Sequence, residues 1–600
     1  MGAARLYRAG MPFNTVDLPE VDYVQSADVI YFAHLNYPPS KLTRSGHTSW
    51  AFAEVTFGPT ITAPTGVVAT ASKPNTDAAN NGDNYWLRTA HYAVAAVNEA
   101  GQISRLSAHA TASNDLSLKG NLNTITWTAH PDAEFYVVFK RDNDGTFGYI
   151  GRAEEARFVD GEGGIAPDYA DGPRVGENPF AGPGDYPSTV TFHQQRLLWG
   201  RTRNKPNGIW GSQAADFENM DRSRPSKPDD ALTMGLVSDR VNAVEQLASL
   251  RSLLALTSDG IFAINGGQQG DPMTATQIVA DRQVGRGASR LNPIVLDSVL
   301  FFRPNQGSSV RTLGYTFEVD GYKSNDVAIF SPHFFDGFEI VSWAHQQEPY
   351  SAIWAVRSDG KLLCLTWEQE QQVWGWTLCE FAGFVESVAV ITERGMDRVY
   401  LAIRRTLAGQ EQVLIERMAL PLLVADDLVD SCYLDCAVTQ KYDPPRDVVD
   451  QLWHLEGEAV TAFADGYVVE GLTVTGGKVA LGFAASTVTV GLPYSGEIET
   501  LPLTLMGQQG SAHVSRQMIE EVTVRVEKTR GIKVGASGGE LFEVKQREYE
   551  GLDQPIDLKT GDYDVRLSAA WSNAATVRVV QDYPLPATIN ALFLKPRVTK

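Results

Sequence analysis

One stretch decides the fold: Ser351-Ala-Ile-Trp-Ala-Val356, Lys361-Leu-Leu-Cys-Leu-Thr-Trp367 and Val373-Trp-Gly-Trp-Thr-Leu378, with Asp359-Gly360 between the first two runs. Each run is six or seven residues long and rich in β-branched and aromatic side chains. That length and composition predict strands rather than helices. Asp-Gly accepts positive φ, so it suits a tight hairpin. Pairing Trp367 with Val373 places Cys364 opposite Trp376, and a Cys364–Cys379 bridge is therefore not expected.

Reading outward from this hairpin, the same plan recurs. A first copy runs through Val21–Val24, Ala27–Phe32, Lys41–Arg44 and Trp50–Phe52. A second runs through Thr189–Phe192, Arg196–Gly200 and Gly208–Ser212, and a third through Val241–Val244, Leu253–Leu256 and Gly260–Ile264. The fourth is Pro293–Leu296, Val299–Phe302 and Arg311–Tyr315; the fifth is the stretch quoted above. The sixth is Glu386–Ile391, Arg398–Ile403 and Val413–Arg417. From the second copy to the fifth the starts fall about 50–60 residues apart, near the period of propeller blades. A four-stranded blade cannot bury both faces alone and stacks on its neighbours. The predicted class is mainly β and multidomain: a β-propeller with an inserted fibronectin III-like sandwich and C-terminal β-domains.

The boundaries follow. Residues 1–20 form an arm and 21–57 the first blade. The insert spans 58–185, where Tyr92–Asn98, Ile125-Thr-Trp127 and Phe135–Lys140 supply sandwich strands and a core tryptophan. The remaining blades fill 186–425, and β-domains occupy 426–505 and 506–600. The Gly/Pro-rich stretch Asp160–Pro187 is the best hinge candidate. Helical candidates are few; Val514–Glu521 has room for a turn or two, and much of it leads into the strand Val522–Val526.

Composition sets limits on function. Of 600 residues, 51 are Lys or Arg and 72 are Asp or Glu, so the formal charge is 51 − 72 = −21. A protein that grips phosphates for its living is usually basic. Four cysteines, Cys364, Cys379, Cys432 and Cys436, are too few for a disulfide-stapled secreted scaffold. The start Met1–Tyr7 has no apolar signal core, and no run reaches a membrane span, so synthesis and folding in a cytoplasm are expected.

Motifs of chemistry fail on inspection. Cys432-Tyr-Leu-Asp-Cys436 lacks partner ligands for zinc and reads as two free thiols on one strand face. Gly535-Ala-Ser-Gly-Gly539 matches GxSxG, but a β-run follows it where a nucleophile elbow needs a helix. Gly471-Leu-Thr-Val-Thr-Gly-Gly-Lys478 puts Gly477 where a P-loop needs Lys, and reads as a turn. Asp142-Asn-Asp-Gly145 is too short for an EF-hand loop. The Ser-Asp-Gly triplets at Ser258 and Ser358 lack the spacing of a sialidase box and read as hairpin turns. Asp229-Asp230 and Asp426-Asp427 supply acid pairs of the kind a glycosidase uses, though 72 acidic residues produce such pairs by chance. No catalytic, cofactor or metal residue is assigned, and no enzymatic activity is expected.

The first copy carries a more specific string: Tyr23-Val-Gln-Ser-Ala-Asp28, Tyr31-Phe32, His34, Tyr37-Pro-Pro39, Lys41–Arg44, Gly46-His47 and Trp50. Further strings follow in order. They are Arg196–Gly200, Pro206–Ser212, Asp216-Phe217, Asp229-Asp230 and Ser238–Asn242, then Trp453–Gly457, Val460, Ala464–Gly466, Thr475–Gly477 and Val490–Tyr494. In combination they resemble the tail nozzle proteins, or tail tubular protein B, of short-tailed bacteriophages. The resemblance runs from about residue 20 to the end, and the insert is its least matched part. It implies a propeller-bearing structural subunit of the virion tail, assembled in the host cytoplasm. It further implies a homo-hexameric ring below an adaptor, possible contact with tail fibres, no cofactor, no stable membrane insertion, and genomic DNA passing without specific binding.

Six copies would carry 6 × −21 = −126 formal charges, which suits a lumen that lets DNA slide. The loops Gly266–Gly270 and Gly507–Gly510 are weak gate candidates beside their reading as ordinary turns. Two rivals stand against the conduit: a tail-associated glycan hydrolase and a receptor-binding adhesin. A six-fold ring with a channel separates the conduit from both.

Overall fold

The computed structural model describes all residues except 1–9, 76–85, 143–144, 238–241, 269–270, 423–426, 504–505, 508–509, 512–515, 546, 548, 552–553, 569 and 599–600. Among the described residues the regular structure is strand, with a few single-turn 3-10 segments and no α-helix. The chain is mainly β and multidomain, and it divides into two compact units, residues 2–335 and 336–600.

The first unit holds four blade-type sheets, each an antiparallel meander. Blade 1 comprises Asp22–Ser26, Val29–His34, Tyr37–Gly46 and Ser49–Glu54. Blade 2 comprises Thr189–His193, Arg196–Gly200, Gly208–Gly211 and Leu232–Gly235. Blade 3 runs Val244–Ser249, Leu253–Thr257, Ile261–Asn265 and Val279–Val284; blade 4 runs Ile294–Leu296, Val299–Phe302, Arg311–Thr316 and Gly321–Asp326. Apolar faces stack blade on blade. Tyr31 and Ala33 of blade 1 meet Val190, Leu197, Trp199 and Trp210 of blade 2. Leu198, Ile209 and Leu232 of blade 2 meet Val244, Leu253 and Phe262 of blade 3. Leu254 and Leu256 of blade 3 meet Leu300, Phe302 and Leu313 of blade 4. Blades 2 and 3 thereby bury two faces each, which neither can do alone.

The insert leaves this stack after blade 1 and returns before blade 2. Its strands, Val68–Ser72, Arg88–Val97, Ala110–Asn114, Leu122–Thr126, Phe135–Asp142, Gly148–Ala153 and Arg157–Asp160, make a three-stranded and a four-stranded sheet. Tyr92, Val94, Ile125, Trp127, Tyr136 and Val138 fill the space between them. The Trp127 and Tyr136 rings cross edge-on at 5.1 Å. The stretch expected as a hinge, Asp160–Pro187, is packed instead. Phe180 is 3% exposed and its ring contacts Phe57, Trp199 and Trp210. Arg174–Val175 pairs with Arg222–Ser223. Gly172 lies so close to the Arg224 carbonyl that a Cβ would sit 1.9 Å from it. Glycine here permits close packing and does not mark mobility.

The second unit holds two more blade-type sheets. Blade 5 is Ile340–Gln346, Ala352–Arg357, Leu362–Glu368 and Val373–Cys379. Among the described residues blade 6 has three strands, Phe384–Glu393, Met396–Leu407 and Gln410–Arg417. Val356 and Leu362 of blade 5 pack on Val385, Val388, Val399, Leu401 and Ile403 of blade 6. A four-stranded sheet follows, built from Asp435–Val449, Ala459–Ala464, Tyr467–Thr473 and Val479–Leu492. The last module pairs two sheets over one core of Ile519, Val522, Val524, Ile532, Val534, Val577 and Val579.

Several expectations are corrected. Gly496–Glu499 pairs with Val577–Gln581, so the last module begins near 496 and not 506. The helical candidate is strand: Gln517–Thr529 is continuous, with residues 514–515 outside the described set. In blade 5 Trp367 pairs with Trp374 and Cys364 with Thr377, one register step from the expected pairing. The tip is the four residues Gln369–Gln372, with Gln372 at φ 54°, and the two indoles pack at 5.3 Å. All four cysteines are free thiols; Cys436 lies at the start of a strand but Cys432 precedes it, so the two do not share a strand face.

Candidate functional site

The first strands of blades 1 to 4 converge, and a buried polar ring joins them. Asp22 opens blade 1, Thr189 opens blade 2, Gln246 lies in the first strand of blade 3, and Asn292 stands just before the first strand of blade 4. The Val190 N–H donates to Asp22 Oδ2 at 3.0 Å. Thr189 Oγ1 donates to Gln246 Oε1 at 3.0 Å. Gln246 Nε2 donates to Asn292 Oδ1 at 2.7 Å and to the Arg290 carbonyl at 2.7 Å. Asn292 Nδ2 closes the circuit on Asp22 Oδ1 at 3.0 Å. Asp22 also accepts from the Tyr23 N–H at 2.9 Å.

Burial raises the Asp22 carboxyl above its ordinary value, against hydrogen bonds from Val190, Tyr23 and Asn292 that favour the anion. Such a group in a cleft marks a functional candidate. Here every contact of the carboxylate is internal, and it ties three blades together. The N-terminal arm lies over the same side. Arg290 NH1 pairs with Glu20 Oε2 at 3.1 Å, and Phe13 packs on Phe32, Tyr37 and Phe52 of blade 1.

At the far end of the same strands His193 Nδ1 lies 2.8 Å from Ser249 Oγ. Burial pushes the imidazole down to about 4, so it is neutral at ordinary pH. The pair is a contact between blades 2 and 3; His193 is 5% exposed and sits in the wall between them.

The strings singled out in the sequence do architectural work. Arg196 is buried and donates to the carbonyls of Ser212, Pro228 and Asp230 at 2.6–2.8 Å. Trp199 is fully buried. Tyr31 and Lys41 both hold Glu218, at 3.0 and 2.7 Å. Arg44 spans Asp28 at 3.0 Å and the Trp50 ring. In the second unit Glu456 receives the N–H groups of Gly476 and Gly477 at 2.8 and 2.6 Å. The glycine pair that resembles a phosphate loop thus cradles the chain's own carboxylate, inside a turn bridged by Thr475 and Lys478. Asp465, at φ 44° beside Gly466, caps the N–H groups of Ser486 and Thr487 at 2.8 Å.

The acid pairs are likewise spent. Asp230 is fully buried and accepts from Ser223 N, Ser223 Oγ and Lys227 N at 2.7–2.9 Å, while Asp229 pairs with Arg174 at 2.8 Å. Asp427 caps Val429, and Asp426 lies outside the described residues. Gly535–Gly539 is a hairpin turn between Ile532–Ala536 and Leu541–Glu543, with no helix after it. The triplets at Ser258 and Ser358 are hairpin turns; Asp359 accepts from Arg357 Nε at 2.8 Å. The Asp142–Gly145 loop and both glycine-glutamine loops fall partly outside the described residues. Among the described residues no group of three His, Cys, Asp or Glu side chains is placed to hold a metal ion, and no helix is long and apolar enough to cross a membrane.

Sequence reading did not find the hub. Its members stand 167, 57 and 46 residues apart by position, and each is an ordinary polar residue. One signal was present: a polar residue at or near the opening of each blade copy.

No protein-family model and no curated protein matches the chain. Among solved structures it is similar to the Pseudomonas aeruginosa periplasmic gluconolactonase PpgL. The identity is 10%, over 55% of this chain and 100% of that one, with a TM-score of 0.24.

Proposed function

We propose that the chain is a structural subunit of the tail nozzle of a short-tailed bacteriophage, and that six copies form a ring around the passage for DNA. The observation that carries this reading is the sealed hub. A passage for duplex DNA must admit a helix whose major groove alone is about 12 Å wide. The first strands of blades 1 to 4 are joined across their convergence by contacts of 2.7–3.0 Å. The passage therefore runs between copies, and a head-to-tail ring is the closed arrangement that supplies one.

The strings that resemble the nozzle family support the reading from another side. Tyr31, Lys41, Arg44, Arg196, Trp199 and Glu456 hold turns and blades in place, as a load-carrying shell requires. The charge of −21 per chain disfavours tight phosphate binding. The ring sits in the virion tail below an adaptor, after assembly in the host cytoplasm, and it performs no catalysis. The test is electron microscopy of the purified protein alone and bound to the tail adaptor. A six-fold ring with an open centre is expected on the adaptor. A trimer that binds host cells, or turnover of envelope glycan abolished by changing Asp229, would overturn the proposal.

A further inference from the structure

Blades 1 to 5 have four strands each, and blade 6 has three among the described residues. Its last strand, Gln410–Arg417, is therefore an edge where its siblings carry one strand more. The edge is eight residues long, and its pairing with Met396–Leu407 runs from Leu407↔Gln410 to Tyr400↔Arg417 without a register shift. It contains no proline. Val413 is 53% and Ile415 72% exposed. A long edge without a bulge, apolar at its centre over Val413–Ile415, is a template for another strand.

The direction of its free groups is fixed by the ladder. The Met418 N–H donates to the Val399 carbonyl at 2.8 Å. Bonded pairs alternate along an antiparallel ladder, so the even-numbered residues of the edge bond inward. The N–H and C=O groups of Glu411, Val413, Ile415 and Arg417 point outward.

We infer that this edge pairs with the same edge of a second copy. An antiparallel partner must match outward residues with outward residues. The register centred on Leu414 sets Glu411 opposite Arg417 and Val413 opposite Ile415, and by the two-fold axis each pair occurs twice. Opposite charges meet at both ends and β-branched side chains meet in the middle, the combination that stabilises cross-strand pairs. Each copy's edge becomes the fourth strand of the other's blade 6. A two-fold contact is self-complementary, whereas a six-fold ring closes head to tail, so the two assemblies use different surfaces. This inference stands apart from the nozzle reading.

The test is the mass of the full-length protein in solution across a concentration series, by sedimentation equilibrium. Wild type is expected to dimerise. Val413→Pro removes an outward N–H without touching the bonds to Met396–Leu407, as proline on an edge allows. Glu411→Lys sets like charge against Arg417 at both ends. Each change is expected to weaken the dimer at least about tenfold, since each acts twice. The double variant Glu411→Lys with Arg417→Glu is expected to recover most of that loss. A monomeric wild type, or a dimer indifferent to Glu411→Lys and Val413→Pro, overturns the inference. Failure of the double variant to recover overturns the Leu414-centred register.

Discussion

Arg405 provides the sharpest energetic test. Its side chain is fully buried in blade 6. Nε and NH2 grip Glu416 at 2.5 and 2.8 Å, NH2 and NH1 grip Asp435 at 2.6 and 2.9 Å, and NH1 also meets the Ala382 carbonyl at 3.0 Å. One guanidinium thus fastens the last two strands of blade 6 to the strand that opens the following sheet. Burial works against the cation, but the two carboxylates outweigh it and leave its pKa raised.

Arg405→Met keeps the stem and removes the charge, leaving two carboxylates facing each other. Removing one partner of a buried ion pair costs about 3–5 kcal/mol. Two facts place this site at the lower end. The Glu416 side chain is 21% exposed, and Asp435 retains the Cys436 N–H at 2.9 Å. The expected loss is therefore about 3–4 kcal/mol, which for a unit of this size lowers the melting temperature by about 6–16 °C. Differential scanning calorimetry of the full chain measures it. Hydrogen exchange over Met396–Leu407 assigns the shifted transition to the second unit. Arg405→Lys keeps the charge and loses the fork, so it should fall between. A shift below about 2 °C, the size of an ordinary surface change, would refute the reasoning.

Further outcomes follow from the hub and from the thiols. Asp22→Ala leaves the Val190 N–H and Asn292 Nδ2 without their acceptor and should cost about 2–4 kcal/mol in urea unfolding of the first unit. The folded Asp22 carboxyl is raised above 3.8, so the folded state holds its proton more tightly. Its penalty is absent below 3.8 and grows as pH rises toward the folded value; Asp22→Asn should remove that fall in stability with pH. Burial pushes the Cys364 thiol up to about 12 and Cys379 to about 11, and Cys436 rises to about 12. These three should resist alkylation at pH 8 in the native protein and react once unfolded, as mass spectrometry of labelled protein will record.

The central strands of each blade were legible because apolar runs between Asp-Gly turns carry their own signal. Asp359-Gly360 and Asp465-Gly466 both sit in the hairpins they announced, with Gly360 at φ 80°. Outer strands were harder. Leu232–Gly235 and Val279–Val284 are short or polar and mostly solvated, so no alternation marks them. The blade 5 register slipped by one because Gln372 adopts a left-handed turn that composition does not reveal. Phe180 explains the false hinge: a single aromatic anchored a stretch whose glycines and prolines read as loose. The hub was illegible for a different reason. Asp22, Thr189, Gln246 and Asn292 become partners only once four blades bring their first strands together, and before that each is one polar residue among many.

The most direct test of the account is a side-chain-resolution reconstruction of the assembled tail by electron microscopy. The account predicts six copies around an open channel between chains, with the Asp22–Thr189–Gln246–Asn292 ring intact and closed inside every copy. DNA density running through that ring of side chains, or an assembled tail in which the copies enclose no channel, would contradict it.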